Sequence, residues 1–101
     1  SVIYESCKNC GGTGETETLE STCLSLMRQI KSMVNNSQIQ KIEITTSHVV
    51  AGYLLNKKRK KLTELEEKFS KSIIINGITG HRTGEATTYG TDSEGKHIAT
   101  R

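Results

Sequence analysis

Between positions 18 and 78 the apolar residues change period three times, and that succession limits the folds open to this chain more than any other feature. From Thr18 onward Leu19, Cys23, Leu26, Met27, Ile30, Met33 and Val34 recur at steps of three and four, the pattern of a helix with one buried stripe, which Asn35-Asn36-Ser37 ends. This predicts a helix over about 16–35, capped by Thr16 or Thr18, with Glu17 and Glu20 beside the positive end of its dipole. Gln40 to Thr46 then alternates polar with β-branched residues, which predicts a strand with Ile42 and Ile44 turned inward. Ser47 is a suitable N-cap for a second helical pattern, in which Val49, Val50, Tyr53, Leu54, Leu62, Leu65 and Phe69 share a face. That stretch reads as one long helix, or as two with a bend near Asn56. Residues 72–78 form a β-branched run of strand length, expected at the centre of a sheet and expected to end at the turn signal Asn76-Gly77.

Helix, strand, helix, strand in that order predicts an α/β (α+β) fold, a small two-layer sandwich with helices on one face of a two- to three-stranded sheet; a glycine-rich loop holding Cys7 and Cys10, read below as a zinc knuckle, precedes it. Beyond Gly80 nearly every residue is Gly, Thr, Ser, His or charged, and Ala86, Tyr89, Ile98 and Ala99 are the residues with surface to offer a core. Residues 81–101 therefore read as an edge strand near 85–90 and a disordered tail, after a link at 1–15 and a small domain at 16–80. A length of 101 residues suits one such domain, and with 33% hydrophobic residues and no Trp its core must be small and aliphatic, so that a metal or a partner chain would help it. No apolar run approaches the roughly 20 residues of a membrane span. With Ser1 at its start and no basic-then-apolar leader, the chain reads as a soluble, cytoplasmic piece of a longer polypeptide. A net charge of +3 permits contact with nucleic acid without demanding it.

Three cysteines, an odd number in a chain rich in Lys and Glu, argue against a disulfide framework and for metal or free thiols in a reducing compartment. Cys7 and Cys10 stand two residues apart, followed by Gly11, Gly12 and Gly14, which permit the backbone angles of a tight knuckle. Two thiolates so spaced reach one zinc ion and fill half of its tetrahedron. Cys23, His48, His81 and His97 remain as ligands, none at a recognised zinc spacing. Cys23 lies on the apolar stripe and reads as a small buried hydrophobe; the histidines are scattered and read as surface residues. The simplest completion is a second pair from another chain, one zinc being shared under two-fold symmetry. A redox pair is the other reading of Cys7 and Cys10; it ranks below zinc because glycines follow Cys10 where a helix N-terminus would lower a thiol pKa.

The segment Cys7-Lys8-Asn9-Cys10-Gly11-Gly12-Thr13-Gly14 resembles the zinc-link of the ribonuclease E/G family. Residues 17–30 resemble the helix after that link, residues 50–59 the next helix, and Glu64-Leu65-Glu66-Glu67 with the following strand continue the likeness, which covers about 5–78. Lys8 stands where the family usually has Pro, and 81–101 match its final strand poorly. The resemblance implies that Cys7 and Cys10 are zinc ligands shared between two chains and that the small domains help dimers associate into a tetramer. It further implies a parent endoribonuclease that cleaves single-stranded RNA, in ribosomal RNA processing and message decay, with magnesium held by carboxylates ahead of the link. Those carboxylates are absent here: Asp92 is the only Asp, and Glu64 with Lys68 and Glu67 with Lys71 read as helix i to i+4 pairs. The chain is thus expected to be an assembly fragment without a catalytic site of its own. A binding module like the zinc repeat of J-domain co-chaperones, and a thiol redox protein, are the rival readings.

Lys57-Lys58-Arg59-Lys60-Lys61 admits two readings. Such a run can track RNA phosphates, but no aromatic residue accompanies it in the sequence. The favoured reading is a solvated helix face balanced by Glu64, Glu66 and Glu67, with an auxiliary RNA contact as the second.

Overall fold

A computed structural model describes residues 18–98. Its first helix, α1 (Leu19–Val34), starts where Thr18 takes extended backbone angles and its Oγ1 accepts the Ser21 N–H at 3.0 Å. The expected stripe is buried: Cys23, Leu26, Met27, Ile30, Met33 and Val34 all lie in the core. In β1 (Lys41–Ser47) Ile42, Ile44 and Thr46 are fully buried. Ser47 ends that strand and caps α2 (His48–Lys57), its Oγ accepting the Val50 N–H at 3.2 Å. The long second helix is broken: Lys58 leaves helical geometry (φ −114°, ψ 12°) and α3 (Arg59–Phe69) begins beyond it. Val49, expected in the core, is 61% exposed, because the buried face of the short α2 is Val50, Ala51 and Leu54.

The chain leaves α3 through Ser70, in the left-handed region at φ 56°, and enters β2 (Ser72–Ile78), parallel to β1 with Lys41 opposite Ser72 and Ser47 opposite Ile78. Two further strands, β3 (Ala86–Thr91) and β4 (His97–Ile98), complete a sheet of order β2-β1-β3-β4. Helices pack on the side of Ile42 and Ile44, which gives the expected two-layer arrangement.

The sheet differs from expectation in three ways. It has four strands, β1 and β3 are interior while β2 lies at an edge, and residues 81–98 supply two strands. The reason lies in glycine. Asn76-Gly77 is no turn but the end of β2, where a Cβ on Gly77 would stand 2.8 Å from His48 Nδ1 and 3.1 Å from His48 Cα; the missing side chain admits the start of α2 against the sheet. Gly90 does the same for β3. A Cβ there would meet three carbons of Ile39 at 2.7–2.9 Å, so an isoleucine from the α1–β1 loop supplies the apolar surface that β3 lacks. The β3–β4 turn is organised by Asp92, whose Oδ1 accepts the N–H groups of Glu94 and Lys96, both at 2.9 Å, and by Gly95 at φ 85°. These hydrogen bonds, that from Lys96 first, hold the Asp92 carboxyl below its ordinary pKa.

Lys71, expected to pair with Glu67, lies past the end of α3 and directs its ammonium to the Asn36 carbonyl at 2.7 Å and to that of Ile39. It thereby ties the α1–β1 loop to the entry of β2. Among the described residues no helix is long and apolar enough to cross a membrane.

Candidate functional site

Cys7 and Cys10 lie outside the described residues. Within those residues no group of three or more His, Cys, Asp and Glu is arranged to hold a metal ion. Cys23 is 1% exposed, and burial raises its thiol to a pKa of about 11, an effect that nearby Lys58 partly offsets. It is a core residue, unsuited to serve as a thiolate ligand. His48 Nε2 stands 3.0 Å from Thr79 Oγ1, and His97 stacks on Tyr89 with ring centroids 4.6 Å apart. The junction of β1 and α2, where a helix N-terminus could activate a thiol, carries Ser47 and His48 instead.

On the sheet face away from the helices, Glu43 accepts Asn76 Nδ2 at 2.9 Å and stands opposite Tyr89 in the β1–β3 register. Desolvation and then this carboxylate raise the Tyr89 pKa. Asn76, Glu43, Tyr89 and His97 thus form a polar line across all four strands.

The basic run has a different setting from the one its sequence suggested. Lys57 ends α2, Lys58 is the break, and Arg59, Lys60 and Lys61 open α3. Because the helix turns there, the run wraps an elbow rather than one straight face. Lys57, Lys58, Lys60 and Lys61 line a groove of about 660 Å³ between that elbow and α1, which adds Lys31. Arg59 is exposed and is not part of the lining.

Two lining residues escape a reading of the run alone. Tyr53 precedes Lys57 by four residues, one helical turn, and so projects beside it into the groove. Lys31 follows Leu24 and Met27 on a second stripe of α1 that also faces the groove. The helical spacing 53–57 was a usable signal for the tyrosine; nothing local pointed to Lys31.

The expected balance by glutamates is incomplete. Glu64 and Glu20 line the groove, but the Glu66 carboxylate accepts the Ile73 N–H at 2.8 Å, at the start of β2. Five lysines against two glutamates leave an excess of three positive charges around the groove. An open, cationic groove with a phenol ring and the 56% exposed Leu24 in its lining can hold an anion that carries a flat or apolar part.

Residues 6–88 match the family described as RNase E/G, Thioredoxin-like domain. The chain is also 30% identical over 69 residues to Ribonuclease E of Haemophilus influenzae, a stretch that is 68% of this chain and 7% of that relative. It therefore corresponds to a small part of the relative's length.

Proposed function

This chain belongs to the ribonuclease E/G family, and from that premise we propose that it is the assembly portion of an endoribonuclease, ending the catalytic region of a parent that cleaves single-stranded RNA. One observation carries the reading: the family match begins at residue 6, so it takes in Cys7 and Cys10 together with the folded unit that follows. In this reading the parent acts in the cytoplasm on ribosomal RNA precursors and messages, with magnesium bound to carboxylates outside this chain.

Cys7 and Cys10 of one chain and the same pair of a second chain would hold a zinc ion, which supplies a cross-link and no chemistry on RNA. The donor set supports this. Two thiolates fill half a tetrahedron, Cys23 is committed to the core, and no three His, Cys, Asp or Glu among the described residues are grouped to hold a metal by themselves. A reducing cytoplasm would keep these thiolates available to the metal in the resulting dimer, or in a tetramer built from two of them.

Metal analysis and light scattering of the full-length protein test the proposal. The expected result is half a zinc ion per chain in an assembly that Cys7→Ser with Cys10→Ser reduces at least to its constituent monomers or dimers, with unchanged helix content. One zinc per chain, or full assembly by the double variant, refutes the shared link.

A further inference from the structure

We propose that the groove between α1 and the α2–α3 elbow is a second contact for single-stranded RNA, with phosphates on Lys57, Lys58, Lys60 and Lys61 and one unstacked base against Tyr53. The assignment rests on the ribonuclease reading above and adds to it a place on this domain where the strand is held.

Charge selects the class of ligand. An excess of three positive charges around one open groove favours a polyanion, and lysines act as point charges that tolerate variation in phosphate position. Tyr53 narrows the class. Every base presents a π-face, and stacking on an aromatic side chain is the sequence-tolerant way to hold a single strand. In a duplex the bases are already stacked on one another, so a ring inside a groove has no free face to meet.

An acidic amphipathic helix would match the charge but not the floor. Such a helix needs three or four apolar anchor points. Cys23 and Met27, though they line the groove, are only 1% and 5% exposed, which leaves Leu24 and the half-buried Tyr53. A base with its phosphates requires no more apolar surface than that.

The test uses the full-length protein with a short single strand carrying one 4-thiouridine, and with a blunt duplex as control. Irradiation should cross-link the strand to the peptide that contains Tyr53. Tyr53→Leu, which keeps apolar bulk for the helix, should remove that cross-link and weaken single-strand binding about ten-fold while leaving duplex binding unchanged. Lys57→Gln with Lys61→Gln should lower the slope of log affinity against log salt by about 1.4. Absence of any cross-link in α1, α2 or α3 overturns the proposal. So does an effect of the lysine pair with none of Tyr53→Leu, which would mean phosphate contact without a bound base. Capture of an acidic amphipathic peptide, lost in both variants while RNA binding persists, would assign the groove to a protein partner instead. Failure of the ribonuclease reading shows separately, as no cleavage of the same strand by the unaltered protein.

Discussion

Gly90→Ala tests whether β3 is part of the core, the feature of this fold that composition argues against. A Cβ at position 90 would stand 2.7 Å from Ile39 Cδ1 and 2.9 Å from both Cγ1 and Cγ2, whereas non-bonded carbons rest at about 3.5–4.0 Å. Ile39 cannot simply retreat. It is fully buried, its N–H bonds the Asn36 carbonyl at 3.1 Å, and its own carbonyl receives the Lys71 ammonium. Overpacking of this kind costs about 1–3 kcal/mol. Alanine also restricts the unfolded chain, which returns about 0.4–1 kcal/mol, so a net loss of about 0.5–2 kcal/mol is expected.

The double-mutant cycle with Ile39→Ala is sharper than either variant. Ile39→Ala alone empties a closed site and should cost about 2–5 kcal/mol. In the pair, the methyl added at position 90 occupies space that the isoleucine has vacated, so the combined loss should be smaller than the sum by about 1 kcal/mol or more. Urea unfolding of the 101-residue chain reads this as shifts of midpoint at constant slope. Two losses that add to within about 0.5 kcal/mol, or a stabilising Gly90→Ala, would falsify the packing of Ile39 on β3.

Two other predictions rest on single residues. The Cys23 thiol, raised by burial to about 11, binds its proton more tightly in the folded state than in the unfolded one. Its contribution is therefore complete below about pH 8.5 and is lost as pH rises through 11, roughly 2–3 kcal/mol in all; Cys23→Ala should flatten the fall of stability measured from pH 8.5 upward, and an unchanged fall counts against the burial argument. Ser47→Ala removes the cap on α2 and should cost about 1 kcal/mol in urea unfolding; a loss below about 0.3 kcal/mol would show the cap to be idle.

The elements that were legible in the sequence are those whose partners are local. The stripe of α1, the Thr18 and Ser47 caps and the alternation of β1 each depend on residues within one or two turns, and each follows from side-chain period alone. β3 was legible only as an edge strand, and β4 was lost in the segment read as a tail, because their stability comes from elsewhere. Gly90 reads as a breaker until Ile39, about fifty positions earlier, is known to fill the space above it, and Gly77 reads as a turn until His48 is known to lie against it. Glycine in a strand marks a close approach as readily as a bend, and sequence pattern does not distinguish the two. Placing β2 at the centre failed for the same reason. Its run of isoleucines implied two covered faces, yet Ile74 and Ile78 are 37% and 39% exposed at the sheet edge.

For the groove the legible part was the cationic run, and the misleading part was its local balance. If the run were only a solvated helix face, its placement would be expected to suit the helix, and it does not. Arg59, Lys60 and Lys61 occupy the first turn of α3, which holds no acidic residue and has no side-chain cap at Lys58. Positive charge at that end opposes the helix dipole by about 0.3–1 kcal/mol per residue, and glutamates there would have been favourable. Lys57 and Lys61 are also separated by four residues, a spacing at which like charges repel on a continuous helix; the break at Lys58 lets the chain turn between them. Local rules broken together are expected at functional surfaces. The carboxylates expected to neutralise the run are partly used elsewhere, Glu66 at the start of β2, and the nearest aromatic ring is held one turn away in the same groove. The domain therefore tolerates a helix start that disfavours its own fold, and an anion laid along the groove is the agent that would reverse that cost.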